Sequence, residues 1–330
     1  MTSRDRLLAC LVVVLWGINF LFIELGVRDW PPLLLVAVRF VVVAVPLVFF
    51  VPRPTAPWHR VAAVGLLMSA GQFGLLYTAM HFGMTPGLAS IVLQAQAVFT
   101  VLFSLLFLGE RPTVRVLVGT GIGCAGLLAI ALGLSSGVPS LGLLLTVAAA
   151  ASWGAGNVVA RSVRAGGLSL TVWSGLVVPI PLFAASLVLD GPAAVGEALL
   201  HPTVGVLAST AYTAGCASLI GYVVWNGLLS RHRASEVAPY SLLVPVVAVL
   251  AAWLVLGDIP TPSELAGGAL LLLGVAVTSG VLRFRRRRRD RGGGASGTEK
   301  DAPDGPRERR RRPLPGEEPP GRRDPCGAQA

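Results

Sequence analysis

GERPTVRVLVGTGIGCAG, residues 109–126, returns 148 positions later as GDIPTPSELAGGALLLLG, residues 257–274, with no gap. Gly109, Glu110 and Pro112 are answered by Gly257, Asp258 and Pro260, and Leu117, Gly119 and Gly126 by Leu265, Gly267 and Gly274. In each copy an apolar segment ends in a Gly-acid-x-Pro turn and a glycine-rich apolar segment follows, the mark of a duplicated unit. A looser echo lies upstream. Trp16-Gly17 is repeated as Trp153-Gly154, with Asn19 three residues after one tryptophan and Asn157 four after the other. The chain therefore reads as two halves, 1–134 and 135–282, followed by a tail, 283–330.

Apolar residues make up 54% of the 330, mean hydropathy is +0.71 and 13% of residues are charged, the balance of a polytopic membrane protein. The net charge of +10 does not indicate nucleic acid, because it is concentrated at one end. From Arg283 onward stand 15 Lys or Arg against 8 Asp or Glu, a surplus of +7, and the preceding residues carry only +3. Cys10, Cys124, Cys216 and Cys326 are scattered without C-x-x-C spacing, so neither a disulfide framework nor a zinc cluster is indicated. Arg4 and Arg6 precede an apolar run from Leu7 to Val27 that is too long for a signal-peptide core and lacks a small-x-small cleavage site. It is expected to remain as the first span.

Apolar runs able to cross about 30 Å of hydrocarbon fall near 7–27, 33–51, 61–82, 88–108, 114–133, 141–160, 170–189, 204–229, 237–256 and 263–282. Turn chemistry divides them at Trp30-Pro31-Pro32, Pro52 to Pro57, Gly83 to Gly87, Arg111-Pro112, Ser135 to Ser140, Gly191-Pro192 and Pro260 to Pro262. Arginine marks the sides. Arg4, Arg6, Arg53, Arg60, Arg111, Arg115, Arg161, Arg164, Arg231 and Arg233 lie at one face and only Arg28 at the other, which predicts that both termini are cytoplasmic. Five spans per half is odd, so the second half must cross in the opposite sense. The expected fold is an all-α membrane protein of ten helices in two inverted five-helix repeats, an architecture of secondary transporters with a solute site between the halves. The tail, with almost nothing apolar to bury, is expected to be disordered and to meet anionic lipid headgroups.

Several chemistries are excluded. A phosphate-binding loop needs a lysine, and the only one is Lys300 in the tail. Clustered carboxylates and H-E-x-x-H are missing, so neither an enzyme, a metal nor a cofactor is expected. His59, His81, His201 and His232 fall at helix ends or in loops and read as solvated structural residues.

Polar residues inside the spans are the candidates. Glu24 and Arg39 are the two ionisable residues well within them, and a charge in hydrocarbon costs about 2.5–3.5 kcal/mol even on permissive scales. They read as a mutual ion pair, an outer gate, or a binding pair for the ammonium and carboxylate of a zwitterion. Trp16, Asn19, Gln72, Gln94, Gln96, Trp153, Asn157, Tyr222 and Trp225 are candidate solute contacts. Interhelical hydrogen bonding is the alternative for each Asn and Gln, and an interfacial anchor is the alternative for Trp225. Gln94 and Gln96 are about 200° apart around a helix, so one cavity cannot take both. Gln96, Thr100 and Ser104 form a stripe at spacing four. Gly119, Gly121, Gly123 and Gly126, with Gly267, Gly268 and Gly274, read as a close-packing seam between end helices or as a homodimer contact. Pro245 is expected to kink the ninth helix.

Trp16-Gly17-Ile18-Asn19-Phe20, Pro31-Pro32 followed by Arg39-Phe40, Gly87-Leu88-Ala89-Ser90, Gly109-Glu110 and Ala238-Pro239 to Pro245 resemble the EamA-type drug/metabolite transporters over residues 5–282. Phe82-Gly83-Met84, Leu93 to Ala97 and Ser241 to Val247 are similar to the members of that family that export cysteine and O-acetylserine in bacteria. The resemblance implies a ten-helix inner-membrane carrier with a central cavity that exports small amino-acid metabolites. It departs at Glu24, where similar proteins commonly have lysine. A carrier of another drug or metabolite is the nearest alternative, and a membrane sensor or scaffold is the alternative of another class.

Overall fold

Thr2 starts the first helix. Its Oγ1 accepts the Asp5 amide at 3.2 Å and its own amide donates to Asp5 Oδ2 at 3.3 Å, so two otherwise unpaired donors are satisfied. The computed structural model describes residues 1–109, 112–132, 139–161, 163, 167–232, 237 and 240–279. Glu110, Arg111, Arg164, Arg233, Ala238 and Pro239, most of the turn from Ser135 to Ser140, the end of the tenth span and the whole tail lie outside the described residues.

Among the described residues the chain is helical, with no strand. Seven helices are long and apolar enough to cross a membrane: α1 (Ser3–Val27), α3 (Trp58–His81), α4 (Pro86–Leu108), α5 (Val114–Leu132), α6 (Ser140–Arg161), α7 (Leu168–Leu189) and α8 (Val204–Leu228). Three apolar helices are shorter: α2 (Pro32–Leu47), α9 (Val244–Leu256) and α10 (Pro262–Ser279). A further short helix, Pro192–Leu200, joins α7 to α8, whose helical turns continue to Arg231. Phe107, Leu132, Leu144, Ile180 and Val188 face outward while Asn19, Arg39, Gln72 and Ser218 are buried. That is the arrangement for hydrocarbon surroundings, with polar groups turned inward.

The two quoted stretches pack on each other. α5 and α10 run antiparallel, Gly119 facing Gly274 and Gly126 facing Gly267, and a Cβ on Gly126 would stand 2.6 Å from the Gly267 carbonyl oxygen. The glycine seam is thus used within the chain, except that Gly121 faces open space and Gly268 meets Ile91 of α4. The helix irregularities share the spacing of the sequence repeat. α3 widens into a π turn at Gly65–Gly71 and α8 at Tyr212–Ile220. α4 breaks at Gln94 and Ala95, and a helical turn breaks ahead of α9 at Leu242 and Leu243, 148 residues on. Gly109 and Gly257, each left-handed with φ of 64° and 74°, end α4 and α9.

Candidate functional site

Arg39 is 2% exposed. Its Nη1 donates to Tyr77 Oη at 2.8 Å, its Nη2 to Ser218 Oγ at 2.9 Å and its Nε to the same oxygen at 3.3 Å. The guanidinium carbon lies 4.4 Å from the centroid of Phe73 and 5.8 Å from that of Phe40. Rings and hydroxyls disperse the charge without neutralising it. Among the described residues no carboxylate is within ion-pair distance of Arg39.

The π turn of α8 places Ser218. Its hydroxyl donates to the Thr213 carbonyl five residues back at 2.8 Å, which leaves the oxygen lone pairs for Arg39. α1 joins next door, where Trp16 Nε1 donates to the Ala217 carbonyl at 3.0 Å. The Trp16 ring also meets Tyr222 and Trp225, with centroids 5.7 and 5.1 Å away. Gly221 makes this approach feasible, because a Cβ there would lie 2.5 Å from the indole nitrogen. Residues from α2, α3 and α8 therefore converge around one cation, and Trp16 of α1 packs on α8 beside them. A small, mainly apolar cavity of about 20 Å³ lies beside Ser218, Tyr222 and Phe40, room for no more than a water.

The remaining candidates divide. Gln96 and Asn157 are brought together between α4 and α6, where Asn157 Nδ2 donates to Gln96 Oε1 at 2.9 Å and to Thr100 Oγ1 at 3.1 Å. This is the interhelical hydrogen bonding that was the alternative reading for both. Gln94 caps the first segment of α4 at its break, and Gln72 is buried directly after the π turn of α3. Trp153 packs on the apolar core and Asn19 is buried in α1. Glu24 does not pair with Arg39. Its Oε1 lies 3.2 Å from Nε of Arg28, one turn along the same helix, and that local pair forms without any tertiary arrangement. Phe73 and Tyr77 were not among the sequence candidates; their only signal is two aromatic residues at spacing four on α3, a pattern shared with ordinary core.

The two ends of the bundle differ. At the N-terminal end Asp5 Oδ2 lies 3.0 Å from His232 Nε2 and Asp5 Oδ1 lies 3.4 Å from Arg231 Nη1, above a plug of buried Ala9, Leu228 and Val237. At the opposite end a cavity of about 130 Å³ is lined by Thr85, Asp258, Thr261 and Glu264, and burial pushes the Asp258 carboxyl above its ordinary range.

A bundle with apolar outer faces, polar interhelical contacts and a buried cation at its centre defines a multi-pass membrane protein. The chain belongs to the EamA-like transporter family, whose model matches it twice, at residues 6–132 and 140–280. It is 41% identical over 293 residues to a probable amino-acid metabolite efflux pump of Escherichia coli K12, covering 87% of this chain and 98% of that protein. It is also 30% identical over 289 residues to a probable terminal-alkyne amino-acid exporter of Streptantibioticus cattleyicolor, covering 84% and 94%. A solved crystal structure, 22% identical, has the same fold with a TM-score of 0.55 over 84% of this chain and 96% of its own. Family and relatives make the protein a membrane transporter rather than an enzyme.

Proposed function

We propose that this protein exports small amino-acid metabolites, such as cysteine or O-acetylserine, by alternating access. In this reading residues 1–134 and 135–282 are inverted repeats, α1 to α10 all cross the inner membrane, and both termini are cytoplasmic. The antiparallel packing of α5 on α10 and the paired irregularities of α3 with α8 and α4 with α9 support it. The break at Leu242 and Leu243 separates α9 from a helical turn at Tyr240 and Ser241. The Arg-rich tail then lies on the cytoplasmic side, where anionic headgroups would hold it.

The observation that carries the reading is Arg39, a buried cation between the halves whose partners are all neutral. Tyr77 and Ser218 use three of its five N–H donors, and the remaining two, one on each Nη, suit a carboxylate. Trp16, Tyr222 and Trp225 would wall the solute, and the Glu24 and Arg28 pair would sit at the outer mouth. Efflux of labelled cysteine and O-acetylserine from overexpressing cells tests it. Efflux should rise with wild type and fall to background with Arg39→Gln at equal membrane abundance. No rise with wild type removes these two cargoes.

A further inference from the structure

Asn19 is 7% exposed, and its Oδ1 has no hydrogen-bond partner among the described residues. A buried amide oxygen without a donor is rare in folded proteins and calls for a reason. The asparagine in the sixth helix is held differently, through its amide nitrogen. Asn157 of α6 gives its amide to Gln96 and Thr100 of α4. At the 148-residue spacing the positions in α9 that answer Gln96 and Thr100 are Val244 and Ala248. α1 packs on that helix, with Gly17 closing on Val247 and Ala248. Neither Val244 nor Ala248 offers a side-chain partner, and Asn19, one position out of register with Asn157 relative to Trp16 and Trp153, is turned to a different side of its helix.

The position of Asn19 points to the solute. It stands one turn from Trp16 on the same face of α1, Trp16 bonds Ala217, and the next residue, Ser218, holds Arg39. Counting about 1.5 Å per residue from Val27 and from Pro32, Asn19 and Arg39 are about 12 and about 10 Å inside the ends of α1 and α2, close to one level. We propose that Asn19 sets specificity for the amine. Its Oδ1 accepts an N–H bond from the α-ammonium of a zwitterion whose carboxylate is on Arg39, in a conformation that opens between α1 and α9. This rests on the export reading above. The two groups together select α-amino acids over carboxylic acids with the same side chain and no amine.

The test uses purified full-length protein in liposomes, measuring uptake of labelled L-cysteine with competition by unlabelled L-cysteine or by 3-mercaptopropionate, which lacks only the ammonium. Wild type should prefer cysteine by about tenfold to a hundredfold, the range of one hydrogen bond to a charged group. Asn19→Leu should bring the ratio close to one, and Asn19→Asp should keep or raise it. Thermal melting separates this from a folding defect: Asn19→Leu removes an unsatisfied buried oxygen, so the empty protein should melt no lower than wild type, while its stabilisation by cysteine shrinks. A preserved cysteine preference in Asn19→Leu overturns the proposal. So does a lower melting point of the empty variant with unchanged stabilisation by cysteine. If wild type moves no cysteine at all, the cargo assignment fails and the proposal falls with it.

Discussion

An arginine held only by hydroxyls and rings keeps its full charge inside the bundle, and each hydroxyl then acts on the direction of the guanidinium. Tyr77 fixes Nη1 at 2.8 Å and Ser218 fixes Nη2 and Nε, so in the proposed role the guanidinium is aimed before a solute arrives. Removing one of these groups should weaken binding without altering the moving parts. Tyr77→Phe is expected to raise the KM for cysteine efflux about tenfold, the size of one charge-assisted hydrogen bond, with the maximal rate nearly unchanged. Initial rates across a range of internal cysteine concentrations check this, and an unaltered KM removes the aiming role. Part of this centre is legible in the residues alone. Trp16, Arg39, Tyr222 and Trp225 stand out as polar or aromatic groups deep in apolar runs, and they do converge. Tyr77 does not stand out, because an aromatic residue in a span fits core packing equally well. Glu24 is instructive in another way: its partner was four residues ahead at Arg28, a spacing visible in the sequence, yet Arg28 reads first as a loop charge.

At the scale of the helix, the irregular turns serve the site. The π turn of α8 lets the Ser218 hydroxyl reach back to Thr213 and still accept from Arg39. Proline announces one of the two helix breaks, at Pro245, while the corresponding position in α4 is Ala97, and nothing in the residues marks the break at Gln94 and Ala95. Apolar periodicity gives a helix its existence and side, and says little about the hydrogen-bond register within it. The α5 and α10 seam was legible because only glycine permits that approach, and it gives a prediction with an internal control. A Cβ at Gly126 would meet backbone atoms of Gly267 and Leu271, which cannot move aside. Gly126→Val should cost about 1–3 kcal/mol or more through overpacking, seen as a lower melting temperature in detergent. Gly121, with nothing within 4 Å, should accept alanine with a gain of about 0.5–1 kcal/mol from helix propensity. Equal melting of the two variants would mean that the seam does not hold the bundle.

Across the whole molecule, the repeat could be read from the sequence, but the pairing of helices across the halves could not, since no short-range rule sets it. α1 lies antiparallel along α8 for its full length. Thr203 Oγ1 donates to Asp29 at one end, Phe22 stacks on Tyr212 with centroids 4.0 Å apart, Trp16 meets Ala217, and Asp5 meets Arg231 and His232 at the other end. An alternating-access cycle requires such a clasp to open at one end while it stays shut at the other. On the proposed alternating-access reading, the polar contacts of Asp5 hold the N-terminal end closed over Ala9, Leu228 and Val237, so weakening them should favour the state open at that end. Any loss of stability in the closed state raises the open fraction while that fraction remains small. Leu228 is fully buried and therefore a sensitive reporter. In a background without the native cysteines, Leu228→Cys should react with maleimide in inverted vesicles several-fold faster when Asp5→Ala is added. Because Asp5 also caps α1, Arg231→Gln combined with His232→Gln, which leaves the cap in place, should accelerate labelling in the same way. Acceleration by Asp5→Ala alone would assign the effect to the cap, and no acceleration by either would show that the apolar plug, not the carboxylate, keeps this end shut.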